Sequence, residues 1–138
     1  MLTKQTSIQP FNVGKTGRAE CFGKTVAGGA GATVICSVAI PLGHILLGVL
    51  TAKAYDATAG ESAVYEKRFA AKNVAGTSAL VGSVASILAL EDDATWEATV
   101  AVDDTDDEVD VTVTPDATND TIFDAVVEWE LLPLGAMA

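Results

Sequence analysis

The sequence is poor in the residues from which active sites are usually built. It contains one histidine, His44, and two cysteines, Cys21 and Cys36, among 138 residues. It shows no Cys-x-x-Cys pair, no histidine near either cysteine in sequence and no recognisable nucleophile–base pair. The sequence therefore predicts that the protein is not an enzyme, with no catalytic, cofactor-binding or metal-ligating residues and no cofactor.

Two Gly-Lys-Thr triplets, at 14–16 and 23–25, suggest phosphate binding at first sight. A P-loop needs a glycine five positions before the Gly of this triplet, directly after a buried strand. Gln9 and Arg18 occupy those positions, and no apolar strand precedes either triplet. Both P-loops are excluded.

The two cysteines lie fifteen residues apart. Cys36 falls in an apolar run, which favours a buried free thiol. A Cys21–Cys36 disulfide is the alternative, but disulfides are typical of exported proteins. The first residues, Met1–Ser7, lack the apolar segment of a signal peptide, so we expect no export by that route.

Basic residues are scarce and none follows position 72. Eight Lys and Arg oppose nineteen Asp and Glu, for a net charge of −11, and fifteen of the acids fall from Glu91 onward. Phosphate contacts need Lys and Arg, so nucleic acid is not expected as a partner. The split instead allows basic segments of one copy to meet acidic surfaces of another. The simpler interpretation is a solvated acidic surface.

Aromatic residues are also few, at 6%, although 49% of the chain is apolar. A chain of this length forms one domain, whose core must be built from Ala, Val, Leu and Ile. Such compositions favour sandwiches and barrels. We predict an all-β antiparallel β-sandwich at 33–132, preceded by an extended glycine-rich N-terminal arm at 1–32 and followed by a C-terminal tail at 133–138.

The last third of the chain shows the clearest pattern. Apolar residues recur at every second position in three short runs, with Val126 as an apolar exception: Trp96 to Val102, Val109 to Val113, and Phe123 to Leu131. Alternating side chains point to opposite faces of a strand. The pattern predicts a three-stranded meander with one apolar face, which holds Trp96 and Trp129, and one acidic face.

The connection Asp103–Asp107 is the densest charge cluster of the chain. Carboxylates on one turn are hard ligands that suit Ca²⁺, but the glycine of an EF-hand loop is missing. A solvated turn is the preferred interpretation.

Residues 33–50 form the one apolar stretch long enough to suggest a membrane span. Pro41, Gly43 and His44 interrupt it, so we predict a hairpin of strands 33–40 and 45–55, with His44 solvated on the turn. Membrane attachment is not expected.

Residues 63–73 are predicted as a strand in preference to a helix, with Lys67 misplaced on the apolar face. A weaker strand at 79–90 is kinked at Gly82.

The order of these segments resembles a β-sandwich unit of tailed-bacteriophage structural proteins. The resemblance spans Gly60 to Leu132 and rests on four features. They are the strand bearing Tyr65 and Phe69, the segments Gly76-Thr77 and Val81-Gly82, the strands at 96–100 and 109–113, and the closing strand at 121–129. The family usually has a glycine before the closing strand and a Trp near its beginning. Here Pro115 and Asp116 precede that strand, and Trp129 comes late.

The resemblance implies a virion structural protein assembled in the host cytoplasm. A capsid decoration protein, attached to the major capsid protein through its N-terminal arm and through contacts between subunits, is the first expectation. It would form a homo-oligomer, with a trimer as one candidate, because many weak contacts add up under symmetry. The alternative is a neck, tail or fibre module that contacts other virion proteins or a host surface. That role predicts exposed aromatic residues.

Overall fold

A computed structural model describes residues 15–135 as two antiparallel sheets that enclose one core. Nine strands follow along the chain: β1 Lys15–Val26, β2 Thr33–Ala39, β3 His44–Asp56, β4 Glu61–Val74, β5 Thr77–Leu80, β6 Ala85–Glu91, β7 Glu97–Asp103, β8 Glu108–Thr114 and β9 Thr121–Pro133. The predicted all-β antiparallel sandwich is confirmed. Within the described residues, no helix is long and apolar enough to cross a membrane.

The two sheets differ in size. The large sheet has the order β1–β9–β3–β4–β5, and β6 also pairs with β4. The small sheet has the order β2–β8–β7. Their facing sides meet in a core whose largest fully buried side chains include Tyr65, Phe123, Leu46 and Leu50.

Period-two alternation explains which face of each strand is buried. Val109, Val111 and Val113 of β8 are fully buried, while the residues between them are partly exposed. Phe123, Ala125 and Val127 do the same on β9. Burial of each of these Val and Phe side chains contributes roughly 1.5–3 kcal/mol relative to exposure, so the alternation fixes the orientation of the strands.

The predicted pairing of neighbouring strands was wrong in two places. β7 and β8 form a hairpin in the small sheet, but β9 crosses to the large sheet and lies between β1 and β3. The stretch from Thr33 to Asp56 is likewise no hairpin, since β2 pairs with β8 and β3 pairs with β4 and β9. The alternation of apolar and polar residues shows which face of a strand is buried. It does not show which other strand pairs with it in the sheet.

His44 is the first residue of β3 and is half-buried, not on a solvated turn. Its ring Nδ1 lies 2.9 Å from the carbonyl oxygen of Leu42. The predicted strand at 63–73 is confirmed as β4. The segment 79–90 forms two strands, β5 and β6, separated at Gly82, whose φ is +71°.

The boundary predicted between arm and sandwich also needs correction. Residues 15–26, assigned to an extended arm, form β1, the outermost described strand of the large sheet, and pair with β9 from Val26 opposite Thr121 to Lys15 opposite Leu131. Residues 1–14 lie outside the described residues. At the other end β9 extends to Pro133, and the Leu134 amide donates to the carbonyl oxygen of Gly43 at 2.9 Å; positions 136–138 of the predicted tail lie outside the described residues.

Cys21 and Cys36 form a disulfide, so the expectation of a free thiol at Cys36 was wrong. Cys21 lies on β1 of the large sheet and Cys36 on β2 of the small sheet. The bond therefore joins the two layers along one side of the sandwich. The sequence could not show this proximity, because it depends on β1 belonging to the sandwich.

Two glycines make room for aromatic rings on the inner side of the large sheet. Gly17, Trp129, Gly48 and Phe69 lie opposite one another on four adjacent strands. A side chain at Gly17 would collide with the Trp129 indole, and one at Gly48 with the Phe69 ring. Trp129 lies on the inward side, as predicted, but is only half-buried, whereas Trp96 is buried.

Candidate interaction surface

The charges of the molecule are divided between its two sheets. All seven basic residues in the described part of the chain lie on strands of the large sheet, namely Lys15, Arg18, Lys24, Lys53, Lys67, Arg68 and Lys72. The strands of the small sheet carry no basic residue, and four acids project from them: Glu97, Asp103, Glu108 and Asp110. The small sheet and its loops therefore hold most of the uncompensated negative charge.

On the outer face of the large sheet, charges are compensated by neighbours. Arg18 contacts Glu20 at 2.8 Å and Glu128 at 3.0 Å, and hydrogen bonding to Glu20 is the main reason that the pKa of Arg18 is raised. Lys53 lies 3.5 Å from Asp124. Such exposed pairs contribute little stability, about 0–1 kcal/mol each, but they make this face nearly neutral.

The same outer face exposes large apolar side chains. Tyr55 lies opposite Ile122, and Val64 lies opposite both Lys53 and Leu90. Phe22 reaches the same area from β1 and helps to line a shallow depression of about 240 Å³ with Val64. These five residues, Phe22, Tyr55, Val64, Leu90 and Ile122, are 40–62% exposed, and we call them the apolar patch.

A contiguous apolar patch of this kind marks an interaction site more often than isolated exposed residues do. Residues of the apolar patch line two depressions of about 240 and 390 Å³, and both are open to solvent. A larger open depression of about 630 Å³ lies on the same sheet at Gly17 and Gly48. Its charged walls include Arg18 and Glu128, which already pair with each other. The geometry suits contact with another macromolecule.

Lys67, the misfit of the predicted strand, is buried between the sheets. Its Nζ lies 2.9 Å from Oε1 of Glu97 on β7 and 5.7 Å from the centre of the Tyr65 ring. The Tyr65 hydroxyl donates to Glu91 at 2.6 Å, and burial is the main cause that raises the pKa of Tyr65. Each of these groups has a partner, so the cluster stabilises the contact of β4 with β6 and β7.

A cluster of three acidic side chains lies at one end of the sandwich. Carboxylate oxygens of Asp56, Glu61 and Asp116 lie within 4.8 Å of one another. Burial, followed by the charge of Asp93 and then of Asp116, raises the pKa of Glu61. The closeness of these carboxylates resembles the donor set of a Ca²⁺ site.

The buried carboxylates of this group are already engaged with turns. Asp56 accepts from the Thr58 amide at 2.8 Å and from the Asn119 side chain at 3.0 Å. Asp116 accepts from the amides of Asn119 and Thr118, which lower its pKa, and from the Trp96 indole. Their arrangement is accounted for by the turns that follow β3 and precede β9.

The loop Asp103–Asp107, predicted as a solvated turn, is partly anchored to β5. Asp104 accepts from the Ser78 amide at 2.6 Å, and Asp107 accepts from the Ser78 hydroxyl at 2.7 Å. Asp107 has a φ of +53°. The loop remains exposed at 104–106, and its carboxylates serve as acceptors that hold the hairpin against the large sheet.

Comparison with known proteins gives a distant structural neighbour. No protein-family model and no curated protein matches the chain. The tailspike protein of Acinetobacter phage vB_ApiP_P1 overlaps 86% of this chain with a TM-score of 0.37 and 16% sequence identity. The match spans 21% of the tailspike. An overlap this loose assigns neither fold nor function.

The apolar patch was not predicted from the sequence, although a signal was present. Val126 breaks the alternation of β9 on its outer side, and Tyr55, Val64 and Ile122 fall on the same outward phase of their strands. Recognising them as one surface requires the order of the strands, which brings β9, β3 and β4 together.

Proposed function

We propose that the protein is a non-enzymatic structural component of a tailed-bacteriophage virion, and within that class a capsid decoration protein. The segregation of charge is the observation that carries this proposal. One broad side of the sandwich is nearly neutral and partly apolar, and the other is acidic. A decoration protein needs these two sides, one for contact and one that faces solvent.

In this role the large sheet faces protein neighbours and the acidic small sheet faces outward. Attachment to the major capsid protein involves the N-terminal segment 1–14, which contains Lys4 and no acid, together with contacts between subunits. The strand resemblance of 60–132 to phage structural units supports the same class. Each contact is weak by itself, and symmetry on a shell multiplies it.

The alternative is a neck, tail or fibre module. Exposed aromatic residues were the expected sign of that role, and Phe22 and Tyr55 are 56% and 49% exposed. Immunogold labelling of intact particles separates the two roles, since a decoration protein labels the head and a tail module labels the tail or its fibres.

Quantitative mass spectrometry of gradient-purified virions tests the proposal itself. We expect the chain at a fixed copy number per particle that survives repeated purification. A matched pair of variants then locates the attachment. Lys4→Glu reverses the one side-chain charge of the N-terminal segment and should weaken attachment to particles. Lys15→Glu makes the same change on β1 and should not. Absence of the chain from purified virions would refute a virion role.

A further inference from the structure

We propose that the outer face of the large sheet binds a second copy of this chain, face to face, across a two-fold axis near Val64. This inference goes beyond the virion role and does not depend on it, because self-association is a property of the purified protein. The packing produces a dimer and not the trimer that the phage resemblance suggests.

The first argument is the apolar surface itself. Phe22, Tyr55, Val64, Leu90 and Ile122 each leave 40–62% of their surface in water, although they belong to five neighbouring strands of one sheet. Removing apolar surface from water favours association by roughly 25 cal/mol per Å². The described residues place nothing over this face.

The second argument is charge, which favours this face over the small sheet for contact with a second copy of the chain. Two copies that each carry −11 repel one another. The small sheet would bring acid against acid, since its strands have no basic residue. The outer face of the large sheet is close to neutral, with four basic and five acidic side chains: Arg18, Lys53, Arg68, Lys72, Glu20, Glu66, Asp124, Glu128 and Glu130. A second copy can therefore approach through this face with the least repulsion.

The third argument is area. The long strands β1, β3, β4 and β9 have 12 to 14 residues. With strands about 4.8 Å apart and a rise of about 3.3 Å per residue, five strands present a face of roughly 900 Å². A standard stable interface buries about 800 Å² on each partner. The face as a whole thus approaches the area that a specific dimer needs, and sheets readily stack face to face at about 10 Å.

The test is sedimentation velocity of the purified full chain from low micromolar to millimolar concentration. We expect the wild type to dimerise. Val64→Glu places like charges near the two-fold axis and should raise the dissociation constant at least about tenfold. Val34→Glu is the matched control, because Val34 is a comparably exposed valine (52%, against 43% for Val64) on a strand of the small sheet. It should leave dimerisation unchanged.

Cross-linking of a mixture of isotope-labelled and unlabelled wild type provides a measurement that does not depend on a variant. The two-fold axis brings Lys53 of each copy close together, so we expect mixed-isotope cross-links between Lys53 and Lys53. A wild type that stays monomeric overturns the proposal, as does a Val64→Glu protein that folds and still dimerises. Equal disruption by Val34→Glu, or intermolecular cross-links confined to Lys4, also overturns it and assigns association to another surface or to the N-terminal segment.

Discussion

The two sheets of this sandwich use the same alternation of side chains for opposite surfaces. On the large sheet the outward positions hold paired charges and the apolar patch, so that acid and base cancel between neighbouring strands. On the small sheet the outward positions hold acids with no base on any of its strands. A period of two therefore specifies burial, and the identity of the outward residues specifies how each side meets its surroundings.

The largest effect should come from cutting the covalent link between the sheets. Replacing Cys21 and Cys36 together by alanine removes the bond that joins β1 to β2. Closing a loop of about fifteen residues stabilises a protein by roughly 3 kcal/mol, so we expect a loss of that size in guanidinium unfolding. Dithiothreitol should destabilise the wild type similarly and leave the double variant unaffected. Equal stability of oxidised and reduced wild type would contradict the prediction.

A smaller effect is expected at the ion pair between the sheets. Glu97→Gln leaves the ammonium of Lys67, 5% exposed, without its counter-charge. Removing one partner of a fully buried pair costs about 3–5 kcal/mol; Glu97 is partly exposed, so we expect a loss of about 2 kcal/mol.

The matched variant is Lys67→Met, which removes the charge and keeps the side-chain length. We expect its stability to lie within about 1 kcal/mol of wild type. The double variant should resemble Lys67→Met, because Glu97 then has no partner to lose. Additive losses in thermal or chemical unfolding would show that the pair is not coupled.

The smallest effect on stability is expected from neutralising one glutamate on the outer face of each sheet, and its sign should differ between the two sheets. Burial, and then Asp110 beside it, raises the pKa of Glu108 on the small sheet. Glu108→Gln should therefore raise the unfolding temperature slightly at neutral pH. Glu128→Gln on the large sheet removes a partner of Arg18 and should lower stability by a few tenths of a kcal/mol.

The pH dependence of Glu108 follows from the same shift. The carboxyl of Glu108 binds its proton more tightly in the folded chain than in the unfolded chain, where its pKa is near 4.5. Lowering the pH from neutral toward 4.5 should therefore stabilise the wild type through this group, and Glu108→Gln should lack that increment. Thermal unfolding across this range checks both signs, and identical pH profiles for the two proteins would contradict the argument.

Much of the fold could be predicted from the sequence, but not its connections. The strands containing Tyr65, Val111 and Phe123 were found because each buries every second residue. β1 was missed because polar residues and glycines surround Cys21 and Val26, its two buried residues. A strand of this kind lacks the period-two alternation by which a strand is recognised in a sequence. The disulfide and the apolar patch were missed for a related reason, since both require knowing which strands are neighbours.

The position of β9 between β1 and β3 has a consequence for the order of folding. β3 and β4 are joined by a short turn, with Asp56 opposite Glu61, and can pair as soon as both exist. Among the described strands, β1 pairs only with β9, so that Lys24 lies opposite Phe123. β1 therefore cannot pair until β9 is in place. Pairings between such distant segments form slowly. In pulse-labelling hydrogen exchange, we expect amides of the β3–β4 hairpin to become protected first and those of β1 last, which leaves β1 exposed for most of the folding time.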